Sequence, residues 1–120
     1  MDIFRFNSNN GRGIEAYGSH FTLNAIGHFE EPSHMVLMSF TSGDLVGRHD
    51  ATLAQLFYVI EGCGWVAGKD DIKRPIQDGE AAFWIKGEAH SSGTNTHMKA
   101  IVVESDGLNP QQFMAEKIAF

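Results

Sequence analysis

Histidine is the side chain best able to do chemistry near neutral pH, where imidazole titrates, ligates transition metals and serves as general acid or base. Of the six histidines, His49 opens a run whose alternation can be read. Alternation along residues 49–59 places His49, Ala51, Gln55, Phe57 and Val59 on one face. If that face looks into a folded interior, His49 and Gln55 are polar groups in apolar surroundings. They must then be satisfied by each other, by water or by a ligand. Phe57 and Trp84 are candidates for the wall of such a site, with Phe83, Trp65, Tyr58 and Met98. Phe83 and Trp84 are adjacent and face opposite ways, so at most one points inward.

Other reaction classes lack their residues. No glycine-rich phosphate loop precedes a helix, and no Gly-x-Ser-x-Gly elbow is present. Cys63 lies in a tight glycine turn without a catalytic partner beside it. His20, His28 and His34 fit polar positions in strands or turns, and Glu30-Glu31-Pro32 fits a solvated turn. Arg48, Lys86 and Lys99 could make a local basic mouth, although Arg48 faces away from His49 by alternation.

The elements that must position these residues read as strands. Thirteen glycines, nine phenylalanines and short runs rich in Val, Ile and Thr favour strands and turns over helices. Residues 20–29 partly alternate, and 35–41 (MVLMSFT) form a denser run, as expected for a strand covered on both faces. Residues 53–60 and 65–68, joined through Glu61-Gly62-Cys63-Gly64, predict a hairpin. Lys69 to Asp71, Asp78-Gly79 and Lys86-Gly87-Glu88 predict turns, and 81–85 and 99–104 predict strands. Many short strands at regular spacing indicate a sandwich or barrel. Only the tail reads as helix: Asn109 suits an N-cap, Pro110 the first helical position and Gln112 the third.

The segment from Gly43 to Asn95 resembles the paired motifs of the cupin superfamily. In the first motif Gly43 leads after five residues to His49, then to Ala51, Gln55 and Gly62. Ala51 replaces the usual second histidine and Gln55 the usual glutamate. In the second motif Gly79 leads to Ile85 at the usual proline, then to Gly87 and His90, with Thr94 at the usual asparagine and Asn95 one step later. The resemblance implies an all-β fold, the cupin-type double-stranded β-helix or jelly-roll barrel, here with a short C-terminal helix. In metal-binding cupins the two motifs hold a divalent cation. By that resemblance His49 and His90 are metal ligands for iron, manganese, nickel or zinc. Ala51 has no ligating atom, and Gln55 offers only a neutral carbonyl oxygen. A further ligand would have to come from Asp50, Asp44 or His97.

Three functions therefore stay open. The first is a small-molecule-binding cupin with His49, Gln55, His90, Phe57 and Trp84 around the ligand and no tight metal. The second is a metal-dependent oxygenase or isomerase. The third is a metal-independent isomerase or lyase with one histidine as acid or base. The resemblance also implies a homodimer, for which Leu56, Tyr58 and Ile60, facing outward by alternation, offer apolar surface to a partner sheet.

Length and charge bound the rest. One hundred and twenty residues suit one domain spanning 1–120, with the motif core at 43–95. A net charge of -6 argues against nucleic acid, which demands a basic stripe. No run approaches the roughly 18 apolar residues of a membrane helix. No leader pattern opens the chain, and a single cysteine excludes an internal disulfide framework, so the expected location is the cytoplasm.

Overall fold

The computed structural model describes residues 1–5, 11–15, 18, 20–23, 25, 33–114 and 116–120, with backbone only for 21–23. Its strands are β1 (Asp2–Arg5), β2 (Arg12–Ile14), β3 (Phe21–Leu23), β4 (His34–Phe40), β5 (Leu45–Asp50) and β6 (Gln55–Ala67). They continue with β7 (Arg74–Gln77), β8 (Glu80–Trp84), β9 (Ala89–Gly93) and β10 (Met98–Glu104). Strand pairing runs β1-β8-β6-β10-β4 on one side, while β5 pairs β9 and the far half of β6 pairs both β9 and β7. Every pairing is antiparallel, and β2 and β3 make a separate ribbon. The strand expected over 20–29 is seen only as β3, and residues 24 and 26–30 lie outside the described residues, as do His28 and Glu30 to Pro32.

The hairpin expected over 53–68 is instead one strand of 13 residues, β6, shared by both sheets. Ile60 is left over where β6 passes β10, since Val59 faces Ala100 and Glu61 already faces Lys99. That bulge and a left-handed Gly62, at φ 81°, bend the strand from one sheet into the other. The glycines that resemble a turn signal serve this bend. A Cβ on Gly62 would collide with the His97 carbonyl oxygen, and one on Gly64 with that of Gly93.

The barrel interior is filled by Phe40, Phe57, Val59, Val66, Ile76, Trp84, Met98 and Val102, all buried. A second apolar layer lies on the outer face of the first sheet, where Phe4, Leu56, Ala81 and Val103 pack beneath Leu108 and Met114. This corrects the expectation for Leu56: it faces outward as alternation requires, but the chain's own tail covers it completely. Burial of that one leucine contributes about 2 kcal/mol. Tyr58 is half-buried and Ile60 exposed.

The tail departs from the expected helix. Pro110–Gln112 form a single 3-10 turn, and the Asn109 side chain makes no capping hydrogen bond. The chain then extends along β1: the Ile118 N–H donates to the Ile3 carbonyl at 2.7 Å and Lys117 bridges to Phe4. An extended partner strand satisfies more of this short segment's backbone than a solitary helical turn could. Strand β4 differs too. Met35, Val36 and Leu37 are 73%, 48% and 56% exposed, so among the described residues the strand expected to be covered on both faces lies open at the end of the sheet.

Candidate functional site

The turn at Gly43 (φ 87°), with the Asp44 carboxylate accepting from the Thr41 N–H and hydroxyl, launches β5. The turn at Gly87 (φ 85°) launches β9. Two backbone bonds, Gly87 N–H to Ala51 carbonyl at 2.8 Å and Ala51 N–H to Glu88 carbonyl at 2.9 Å, tie the end of one strand to the start of the other. His49 and His90 consequently stand directly opposite each other in the ladder, with ring centroids 4.4 Å apart. On the other face of β5, Arg48 donates to the carbonyls of Gly68 and Lys69 and pairs with Asp71. It is thus a clamp on the 68–71 loop, and Lys86 pairs with Asp106, so neither builds a basic mouth.

Each imidazole is oriented by its own strand. His49 Nδ1 lies 2.7 Å from the Gly47 carbonyl oxygen, and His90 Nδ1 lies 3.1 Å from that of Glu88. A carbonyl only accepts, so both Nδ1 atoms carry protons, and Nε2 is the nitrogen of each ring that is left for another partner. His90 is 2% exposed whereas His49 is exposed at the rim. Burial pushes the His90 pKa below its ordinary value, assisted by His49 and opposed by the Glu88 carbonyl and the Glu88 and Glu104 carboxylates.

Facing this pair from the first sheet is one row of the ladder. Trp84 on β8, Gln55 on β6 and Glu104 on β10 are successive cross-strand partners, so they share a face. Of the two adjacent aromatics, Trp84 is the inward one. Its centroid lies 4.6 Å from that of His90, and its indole N–H donates across the barrel to the Ala67 carbonyl at 3.1 Å. Gln55 is buried and donates through Nε2 to Glu104 Oε1 at 2.9 Å. Phe57 is one step deeper, edge-on to both Phe40 and Trp84 at 6.0 Å. It packs the core beneath the polar row.

Glu104 belongs to neither motif. Its only signal was its place at the end of the strand over 99–104. The proposed additional metal ligands stand apart: Asp44 serves the Thr41 turn, while Asp50 and His97 are exposed, with the His97 carbonyl accepting from the Cys63 N–H. Among the described residues no three His, Cys, Asp or Glu side chains are gathered as an ion would need. Two imidazoles and a neutral amide oxygen are a poor fit to a tightly held cation. A cleft of about 380 Å³ is bordered by Lys69, Asp70 and Arg74, where paired hydrogen bonds from Arg74 lower the Asp70 pKa to about 2. A larger cleft of about 520 Å³ is bordered by Asp50, Ala89 and Lys86. Asp50 and Ala89 are the next pair of the ladder and by alternation face away from the imidazoles.

Neither a protein-family model nor a curated protein matches the chain. Solved structures do. A cupin superfamily protein of Desulfitobacterium hafniense is 16% identical with a TM-score of 0.57, over 64% of this chain and 69% of that one. An RmlC-like cupin of Shewanella frigidimarina is 20% identical with a TM-score of 0.59, over 70% and 74%. An RmlC-like cupin family protein of Methanocaldococcus jannaschii, with a double-stranded β-helix fold, is 11% identical with a TM-score of 0.58, over 76% and 79%. At these identities the likeness concerns the fold, and it agrees with the all-β architecture of antiparallel strands. The chain is a small all-β protein of the cupin fold.

Proposed function

We propose that this protein binds a small molecule at the barrel mouth, against His49, Gln55 and His90, with Trp84 backing His90 and Phe57 forming the floor. The observation that carries the reading is the facing pair of imidazoles, each with Nδ1 committed to its own strand and Nε2 left for a ligand. A second reading, a metal-dependent oxygenase or isomerase, draws support from the same bonds. A ligating histidine characteristically donates its other ring N–H to a carbonyl. It needs iron, manganese, nickel or zinc to complete its shell from solvent or substrate, because the chain offers two imidazoles. The protein acts as a homodimer in the cytoplasm; the open apolar edge of β4 supports the first point and the single cysteine the second.

The test follows the ring ¹H–¹⁵N signals of His49 and His90 while a small-molecule library is titrated, with elemental analysis of wild type, His49→Ala and His90→Ala in parallel. Ligands that move both rings in metal-free protein are the expected result. A stoichiometric transition metal lost in both variants would transfer the assignment to the second reading. A library that moves neither ring, in protein without metal, would remove the first.

A further inference from the structure

The polar row on the first sheet extends one strand further than the motif. Glu104 faces Gln55 on one side and His34 on the other. Directly opposed residues of a ladder share a face, with Cβ atoms about 5 Å apart. Trp84 and Gln55 point into the barrel, so Glu104 and His34 are on that same face at its mouth. The row grades outward from buried Trp84 and Gln55, through half-buried Glu104, to exposed His34. Val36, the next inward position on β4, is 48% exposed and adds an apolar wall beside it.

The free atoms of this mouth have one character. Gln55 spends an N–H on Glu104, and its carbonyl oxygen is an acceptor. Glu104 keeps a second carboxylate oxygen. His49 and His90 commit Nδ1 to backbone carbonyls and, in the neutral form, accept through Nε2. Carboxylate, amide oxygen and two imidazole nitrogens are all acceptors. A ligand that donates several hydrogen bonds and carries positive charge matches them, whereas an anion meets the Glu104 carboxylate. The net charge of -6 favours the approach of the same ligand. The groups are spread over both sheets instead of gathered at a point, since no three His, Cys, Asp or Glu are gathered for an ion among the described residues. That spread suits an organic molecule better than a bare ion.

We propose that Glu104 and His34 belong to the ligand site and that its ligand is a small organic cation, a protonated amine with a short apolar body, held between Glu104 and the His49–His90 pair. The inference rests on the small-molecule reading above and specifies its ligand class. It is tested with n-butylammonium, butyrate and n-butanol, matched in size, by following backbone and histidine-ring signals of the whole chain. Butylammonium is expected to move His34, His49 and His90 and the end of β10, and butyrate to leave them in place. Glu104→Gln keeps an acceptor for Gln55 and so keeps the fold; it is expected to weaken butylammonium binding about tenfold, the effect of losing one charge-assisted hydrogen bond. His34→Ala, on an exposed edge, is expected to weaken it by less. Equal or tighter binding of butyrate or butanol at His49 and His90 would overturn the cation assignment and leave the mouth as a ligand site. Unchanged butylammonium affinity in Glu104→Gln would remove Glu104 from it. Silence from all three probes would overturn both.

Discussion

At the scale of single residues, His90 is where packing and electrostatics meet. It is enclosed by Trp84 and His49, and its pKa lies below the ordinary histidine value of 6.5. The unfolded chain therefore binds a proton here more readily than the folded one. Stability contributed by this group is present above pH 6.5 and falls as pH drops through the folded pKa, levelling off below it. Thermal unfolding between pH 8 and pH 5 should show a midpoint that declines below about 6.5, and His90→Phe, which keeps a ring against Trp84, should flatten the decline. An equally steep decline in the variant would assign it to other groups. The same residue shows what the sequence makes legible. His49, Gln55 and His90 are found from the spacing of the two motifs along the chain. Glu104 lies 49 positions from Gln55 and reaches it only through the register between β6 and β10. No local pattern encodes that register, so this carboxylate is not legible in the sequence.

At the scale of elements, strand β6 explains why the fold class was legible while the connectivity was not. Residues 53–68 contain two apolar runs parted by Glu61-Gly62-Cys63-Gly64, the composition of a hairpin turn, and a turn and a sharply bent strand call on the same residue type. What separates them is the neighbour. Gly62 has a left-handed φ of 81° and also passes against the His97 backbone, whereas Gly43, at φ 87°, has nothing within 4 Å of where a Cβ would stand. Gly43→Ala should therefore cost only its backbone strain, about 1 kcal/mol, and Gly62→Ala that strain plus the displacement of a packed backbone, about 3 kcal/mol in total. Urea unfolding of the two variants measures the difference. Equal losses would mean that the approach to His97 contributes nothing. The tail follows the same logic: capping chemistry at Asn109 and Pro110 suggested a helix, but the open edge of β1 offered backbone partners that outweighed one turn of it.

At the scale of the whole molecule, the question is which surface remains to be covered. The outer face of the first sheet, expected to await a partner at Leu56, is closed by Leu108 and Met114 of the same chain. Among the described residues, three consecutive exposed apolar side chains, Met35, Val36 and Leu37, lie at the other end of the sheet, on β4. There Met35 and Leu37 project from the outer face opposite Val103 and Ile101, and both are more than half exposed. Edge strands that remain solitary are usually blunted by lysine, proline or a bulge, and HMVLMSF has none of these. Pairing two copies through this strand would hide the apolar side chains together with the backbone edge that no described strand pairs, and each buried large side chain contributes roughly 1.5–3 kcal/mol. Sedimentation of the wild type at tens of micromolar should give twice the chain mass of 13.2 kDa. Met35→Lys with Leu37→Lys, which places two charges on each copy at the centre of the contact, should give the single-chain mass while butylammonium still moves His90. A wild type that sediments as one chain would show that β4 is left open in solution. A double variant that remains paired would move the interface to another face, and loss of the His90 response on dissociation would mean that the mouth depends on the second copy.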